Sequence, residues 1–337
     1  MPSLSSLARR FSDRTFGTSF ERTLASAARR PKPEFLFFWN RGLGDIALGL
    51  VPLFLRIHQV APEARIVVVT REELRSAFGI SGANEVHVLP GLKREDRADM
   101  RHACARLGVD LQRFAAVFGY PDPNRWLEGH RSEHPPRLPW NADWDALAPE
   151  LPAGSGIVVG AHVNSETARY YGYRKDWPEP QWQQLFSRFG PDSGVRWVLL
   201  GLGATHVFEG ANITDLRGAT DFPALMSLLR NRLRVLVAPD SGILSMGYYI
   251  DAPFALDVIS LWADPRQGVL HQGVPSPNPL LRHYPLVAPG EDIRALRVET
   301  VEAALRNSLN SLGSGYLSSL YLSSLGSGYL SEDGKVT

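Results

Sequence analysis

The sequence predicts an α/β protein built from two Rossmann-like, doubly wound domains that face a cleft. From residue 35 onward, short apolar runs alternate with longer amphipathic runs, which is typical of βα units around a parallel sheet. This pattern stops in a proline- and tryptophan-rich tract at 121–155 and then begins again. The Pro-Ala-Gly-Ser-Gly segment at 152–156 is typical of an interdomain linker, and ligands bind preferentially in clefts between domains.

The first repeat of the pattern predicts four strands and three helices. The strands are short and apolar, and we place them at 35–39, 65–69, 86–89 and 114–118. The helices carry an apolar face, and we place them at 45–58, 72–78 and 94–107.

The second repeat predicts strands at 157–159, 197–200, 234–238 and 254–258, and helices at 179–189, 222–230 and 300–309. A further short helix should follow the turn at 240–242. The last residues repeat Leu-Gly-Ser-Gly-Tyr-Leu at 312–317 and 325–330, and their serine-rich composition predicts a disordered or weakly ordered tail. We therefore predict a basic arm at 1–32, domains at 33–150 and 151–309, and a tail at 310–337.

Bulk composition excludes several classes of protein. A formal net charge of +1 argues against a bulk nucleic-acid binder. A single cysteine, Cys104, excludes an internal disulfide and a cysteine-built zinc site. No apolar run approaches the ~20 residues that span a bilayer, and the first thirty residues lack the apolar core of a signal peptide. We expect a cytoplasmic protein.

The arginine-rich arm leaves its role open. A mobile or loosely docked arm is one interpretation, and a helix that touches anionic lipid at the inner membrane surface is another. A transit peptide is the third. Only the second of these would make the protein peripheral to the membrane.

Two motifs in the second half predict a diphosphate site. Lys175 stands beside a predicted helix start, where a cation and free backbone N–H groups suit an anion. The turn Asp240-Ser241-Gly242 ends a very apolar strand. Ligands of open parallel sheets bind at the carboxyl ends of strands, so both motifs have the right placement.

The first βα turn supplies a candidate carboxylate. Gly42 and Gly44 permit a tight turn and a close ligand, but the spacing matches neither a dinucleotide fingerprint nor a P-loop. Asp45 is either a helix N-cap or a general base at the mouth of the cleft, with a pKa raised by burial. Arg41 either binds a phosphate or pairs with a surface acid.

Weaker candidates lie near the same cleft. Arg174 and the tyrosines before Lys175 either contact the ligand or pack as an interdomain loop. His162 follows a strand and is either a satisfied structural histidine or a ligand contact. Asp143 and Asp145 match a metal-binding Asp-x-Asp pattern, although their place in the connecting tract favours a surface acidic pair. The histidines show no metal-ligand spacing, so we expect no metal.

Three of these motifs carry a family resemblance. Gly44-Asp45 after an apolar strand, Lys175-x-Trp177-Pro178, and Asp240-Ser241-Gly242 resemble, in this order, glycosyltransferase family 9, the heptosyltransferases. Asp264-Pro265 lies near the Asp-Pro of that family. The resemblance covers roughly residues 35–308. One departure is Ser245, where the family usually has histidine.

The resemblance implies a GT-B fold and a metal-independent, inverting transfer from a nucleotide-activated sugar, commonly ADP-heptose. The donor would be a co-substrate, with no other cofactor, and the acceptor a hydroxyl of an envelope glycan, glycolipid or protein. It assigns Asp45 as catalytic base and Lys175 to the diphosphate. Asp240, Ser241 and Gly242 would contact sugar and phosphate, and Glu209 a ribose hydroxyl. The alternatives are a nucleotide-sugar epimerase or hydrolase, and a non-catalytic relative that binds a nucleotide sugar.

Overall fold

The computed structural model contains two large parallel sheets, each at the centre of one domain, and a small two-stranded parallel sheet. The structure describes residues 19–126, 133–166, 175–203 and 206–326. The first large sheet has the strand order β3 (Glu85–Val88), β2 (Arg65–Thr70), β1 (Glu34–Trp39), β4 (Ala116–Phe118). The second has the order β12 (Leu281–Val287), β11 (Leu256–Trp262), β9 (Val235–Pro239), β6 (Ile157–Asn164), β7 (Val195–Gly201), β8 (Ile213–Asp215). These two parallel sheets with flanking helices confirm the predicted fold class.

In the first domain, the four strands lie where the apolar runs predicted them. They are β1 Glu34–Trp39, β2 Arg65–Thr70, β3 Glu85–Val88 and β4 Ala116–Phe118. Helical segments connect them at Ile46–Leu50, Val51–Val60, Glu72–Leu74, Arg75–Phe78, Met100–Leu107 and Leu111–Arg113, and a short helix follows β4 at Pro123–Trp126.

Two helices of the first domain differ from their prediction. The predicted helix at 45–58 is a π-helical turn at Ile46–Leu50 followed by an α-helix with Pro52 near its start, where the missing N–H costs nothing. The predicted helix at 94–107 begins only at Met100, because the Asp99 carboxylate accepts a hydrogen bond from the Arg101 N–H and caps it. Arg94 is therefore outside the helix and is buried.

The large sheet of the second domain has six strands, two of which the sequence pattern did not predict. The predicted ones are β6 Ile157–Asn164, β7 Val195–Gly201, β9 Val235–Pro239 and β11 Leu256–Trp262. The others, β8 Ile213–Asp215 and β12 Leu281–Val287, are edge strands with exposed polar positions and so form no apolar run. The helices of this domain lie at Glu179–Arg188, Phe222–Asn231, Gly242–Tyr248, Gly268–Gln272 and Val298–Gly326.

The connecting tract packs on the second domain before the predicted boundary at 150/151. Strand β5 at Leu138–Pro139 pairs with β10 at Ile250–Asp251. The 3₁₀-helical segment Ala142–Leu147 then places buried Trp144 against Phe222, with ring centroids 5.7 Å apart. Burial of this tryptophan ties the tract to the second domain although the tract has no periodic pattern.

Both predicted terminal segments contain a helix. Ser19–Ala27 docks on the first domain, and buried Phe20 stacks on Trp126 with centroids 5.1 Å apart. This part of the predicted arm is therefore packed; residues 1–18 lie outside the described part. The terminal helix continues past the predicted end at 309 to Gly326, and so enters the predicted tail. Within the described residues, no helix combines the length and the apolar character needed to cross a bilayer.

The two domains are also in contact through one continuous apolar cluster. Buried side chains of both domains belong to it, including Leu50 and Phe78 from the first and Leu225 and Leu244 from the second. The short helix Arg75–Phe78 lies against the helix Phe222–Asn231. Leu74 and Leu225, which belong to this cluster, also line the cleft between the domains.

Candidate functional site

A cavity of about 1100 Å³ lies between the domains, at the carboxyl ends of the strands of both sheets. It is large enough for a nucleotide-sized ligand. Most of the predicted site residues line it together: Arg41, Gly44, Asp45, His162, Lys175, Asp240, Ser241 and Gly242. Arg174 lies outside the described residues.

The topology of the second sheet places two of these residues at its switch point. Strand β6 lies between β7 and β9, so the chain connections leave it in opposite directions. Ligands of open α/β sheets bind in the crevice at such a point. His162 lies near the end of β6, and Asp240 follows the end of β9.

Asp45 faces the cavity and does not cap a helix. Its backbone is helical, with φ −69° and ψ −15°, and its side chain makes no capping hydrogen bond. Its Oδ2 lies 2.8 Å from the point where a Cβ on Gly42 would sit, so the carboxylate folds back over that glycine. The N-cap interpretation is therefore wrong. The π-helical turn that follows is a distortion common at functional sites.

The electrostatic surroundings of Asp45 suit a base. Burial raises the pKa of this carboxyl above 3.8, and the negative charge of Asp240 raises it further. The cations Lys175, Arg94 and Arg41 act in the opposite direction and lower the pKa. Burial has the larger effect, so the carboxylate holds a proton more tightly than an exposed aspartate.

Lys175 and Asp240 form an ion pair on the opposite wall. The distance between Nζ and Oδ2 is 2.5 Å, and both side chains are mostly buried. Asp240 also lies so close to Gly268, where φ is +53°, that the structure leaves no room for a Cβ at that position. The Asp240 carboxylate thus holds the lysine at the cavity wall.

The turn after β9 brings the two domains into direct contact. Ser241 caps the helix Gly242–Tyr248, because its Oγ accepts a hydrogen bond from the Leu244 N–H at 3.3 Å. A Cβ on Gly242 would lie 3.0 Å from the Gly44 backbone nitrogen, and one on Gly44 would lie 3.2 Å from the Ser245 Oγ. Small residues on both sides therefore allow this close approach, which gives a physical reason for serine at 245.

Arg41 and His162 take up different roles at the cavity wall. The Arg41 guanidinium stacks on Tyr120, 3.6 Å from the ring centroid, and its Nε lies 3.8 Å from Glu95. His162 is buried, and burial lowers its pKa to about 4, so the imidazole is neutral at pH 7. Its Nδ1 has no hydrogen-bond partner among the described residues.

Three charged residues of the cavity that were not predicted from the sequence are joined by hydrogen bonds. Glu166 of the second domain accepts hydrogen bonds from Arg71 at 3.0 Å and from Arg94 at 2.7 Å, both in the first domain. Both arginines are buried, and all three residues line the cavity. Arg71 directly follows β2, so the rule that finds ligand residues at strand ends could have found it.

Other predicted candidates lie away from the cavity. Glu209 has an exposed side chain outside the cavity lining, and its backbone is bound by Gln183. Asp145 pairs with Arg230 and accepts a hydrogen bond from Trp140 at 3.2 Å, so it belongs to a surface ion pair. In the described ranges, no cluster of three or more His, Cys, Asp or Glu could hold a metal ion.

No protein-family model and no curated protein sequence matches this chain. Solved structures do match it. A family 9 glycosyltransferase from Veillonella parvula superposes with a TM-score of 0.56 and 14 % identity, over 84 % of this chain and 99 % of its own. The ADP-heptose LPS heptosyltransferase II of E. coli gives 0.52 and 17 %, over 83 % of this chain and 99 % of its own.

At these identities the likeness concerns the fold. It extends over nearly the full length of both relatives, and so includes both domains and the cleft between them. The chain therefore has the GT-B fold of the family 9 glycosyltransferases, as the order of its sequence motifs predicted.

Proposed function

We propose that the protein is a metal-independent, inverting glycosyltransferase that moves a sugar from a nucleotide-diphosphate donor to an acceptor hydroxyl. One observation carries the proposal. Asp45 of the first domain and Lys175 of the second line the same cavity, so an acid and a cation face a single ligand space. The shared GT-B fold supports it.

The chemistry follows from these two groups. The Asp45 carboxylate takes the proton of the acceptor hydroxyl, and the hydroxyl oxygen bonds to the anomeric carbon. The bond from that carbon to the diphosphate oxygen breaks on the opposite face, which inverts the configuration. The leaving diphosphate carries away the electron pair, and the Lys175 ammonium stabilises its negative charge.

The ion pair between Lys175 and Asp240 prepares the donor site. A diphosphate competes with the Asp240 carboxylate for the lysine Nζ, which is now 2.5 Å from Oδ2. Once released, Asp240 can accept hydrogen bonds from sugar hydroxyls. While the donor is absent, the Asp240 carboxylate thus keeps the lysine in place and balances its positive charge.

The donor and acceptor are proposed from the relatives. The E. coli relative is named for ADP-heptose and lipopolysaccharide, so ADP-heptose is the first donor to test. We propose an envelope glycan, glycolipid or protein as acceptor, in the cytoplasm or at the inner membrane surface. His162 and Arg41 are further proposed ligand contacts.

Donor binding is tested by thermal shift with ADP-, GDP- and UDP-sugars, because a bound ligand raises the unfolding temperature. Lys175→Ala should weaken binding of the nucleotide diphosphate by about 1–3 kcal/mol, the range for a charge-assisted contact. Lys93→Ala is the matched control, since Lys93 is exposed and outside the cavity lining. Equal affinities for the two variants would remove Lys175 from the diphosphate site.

Turnover separates a transferase from its alternatives. Asp45→Asn should keep donor binding and lose transfer, whereas Asp143→Asn, at an exposed acid of the connecting tract, should keep both. Donor consumption without a glycosylated acceptor would instead indicate an epimerase or hydrolase. Binding without turnover under any acceptor would indicate a non-catalytic nucleotide-sugar-binding protein.

A further inference from the structure

A row of alternating charges runs across the cleft beside Asp45. Arg94 Nη2 lies 3.7 Å, and Asp45 Oδ2 lies 2.8 Å, from the point where a Cβ on Gly42 would sit, so the two groups are neighbours. Arg94 Nη1 lies 2.7 Å from Glu166, whose carboxylate also lies 3.0 Å from Arg71 Nη2. The order across the cleft is therefore Asp45, Arg94, Glu166 and Arg71.

Water screens this row only weakly. The side chains of Arg71 and Arg94 are 8 % and 7 % exposed, and that of Glu166 is 33 % exposed. Charges in such surroundings interact more strongly than at a protein surface, because the effective dielectric constant is lower. A change of charge at Glu166 should therefore be felt at Asp45.

Among the described residues, four charged groups act on Asp45: Arg41, Arg94, Lys175 and Asp240. Each of the three cations has an acidic partner. Arg41 lies near Glu95 of its own domain, and Lys175 is bound by Asp240. Arg94 is bound by Glu166, which the opposite domain supplies. Of these three pairs, the last joins the two domains, so a movement between the domains would separate its partners.

We propose that Glu166 is a positioning residue of the transfer reaction: it binds Arg94 across the cleft and thereby keeps Asp45 a strong base. The inference rests on the proposed function, in which Asp45 accepts the proton. Without Glu166, the Arg94 guanidinium would pair with Asp45 and stabilise its ionised form, which weakens the base. Because the contact joins both domains, the base reaches full strength only when the cleft is assembled.

The test is the pH profile of transfer in Glu166→Gln. The acid limb of its profile should move to lower pH by about one unit, as expected when one negative charge near the carboxyl is removed. Transfer at the plateau should fall about threefold, because a weaker base gives a slower proton transfer. Glu166→Asp keeps the negative charge, so the acid limb of its profile should lie at the same pH as in wild type. The inference would be overturned if the acid limb of Glu166→Gln lay at the same pH as that of wild type.

Two further variants keep the test decisive. Glu73→Gln is the matched control, because Glu73 also pairs with Arg71 but is 69 % exposed and belongs to the first domain. The acid limb of its pH profile should not move. Arg94→Gln should move the limb to higher pH, opposite to Glu166→Gln. If Glu166→Gln does not fold, an unmoved limb in Arg94→Gln overturns the inference instead.

A readout without turnover separates this inference from the proposed function. Carbon-13 NMR follows the titration of the Asp45 carboxyl directly, with Asp45→Asn to assign the signal. The midpoint should lie lower in Glu166→Gln than in wild type. If it does, but wild type transfers no sugar, the proposed function fails and the electrostatic coupling stands. If transfer occurs and the midpoint is unchanged, the coupling alone fails.

Discussion

Because Gly44 and Gly242 are in direct contact, we can predict how Gly242→Ala changes the stability of the protein. Gly242→Ala adds one methyl group, which would lie 2.9 Å from the Leu43 Cβ and 3.0 Å from the Gly44 backbone nitrogen. Neither atom can swing away as the end of a flexible side chain could. The helix Gly242–Tyr248 must therefore shift, or the domains must move apart.

The magnitude follows from two opposing terms. Inserting a methyl group into a packed contact costs about 1–3 kcal/mol. Replacing glycine by alanine in a helix contributes about 0.5–1 kcal/mol of stability from the backbone. The difference between the two ranges is centred on a net loss of about 1 kcal/mol in the free energy of unfolding and is at most about 2.5 kcal/mol.

Gly247→Ala in the same helix is the matched control. The nearest atom to its Cβ would be Leu229 Cδ2 at 3.4 Å, an ordinary van der Waals distance. Only the backbone term remains there, so this variant should be about 0.5–1 kcal/mol more stable than wild type. The two substitutions are chemically identical and are predicted to have opposite signs.

Thermal unfolding measures the difference. The unfolding midpoint of Gly242→Ala should fall by about 2 °C, and that of Gly247→Ala should rise by about 1–2 °C. Donor affinity should fall only in Gly242→Ala, because the shift displaces the Gly44-Asp45 turn from the cavity wall. A midpoint of Gly242→Ala equal to that of Gly247→Ala would refute the close contact between the domains.

Two further predictions concern pH and stability. Burial raises the pKa of Asp45 above 3.8, so its contribution to stability is lost as pH rises through the folded-state pKa; Asp45→Asn should therefore be more stable than wild type in urea at pH 7. Burial lowers the pKa of His162 from 6.5 to about 4, so its contribution is full above pH 6.5 and is lost as pH falls toward 4. In His162→Gln, the free energy of unfolding should therefore fall by about 3 kcal/mol less than in wild type as the pH is lowered. Acid unfolding identical to that of wild type would contradict the lowered pKa of His162.

The local sequence patterns predicted most strands of the two large sheets. The strands β1, β2 and β9 are buried and form nearly continuous apolar runs, which is typical of parallel strands covered on both faces. Strand β11 is also buried, but its run is interrupted by Asp257 and Ser260. The edge strand Leu281–Val287 is half exposed and carries Arg282 and His283, so no apolar run marks it. The start of the helix Met100–Leu107 depends on one capping residue, Asp99, which the apolar pattern did not reveal.

The sequence predicted part of the set of residues that line the cavity. Lys175 and Asp240 could be found because each follows or precedes a recognisable element, and the carboxyl ends of parallel strands share one edge. Glu209 has a suitable side chain but lies outside the cavity lining. Arg94 was assigned to a helix, where the structure instead buries it at the cavity wall.

The sequence by itself determined the order of βα units, the two parallel sheets and the acid and lysine that face the ligand space. These depend on residues close together in the chain, whose periodicity and strand ends are visible locally. Only the tertiary structure decided that Glu166 binds Arg94, and that Gly44 meets Gly242 and Ser245. Those contacts join residues of opposite domains, and their geometry depends on how the two domains pack rather than on any local pattern.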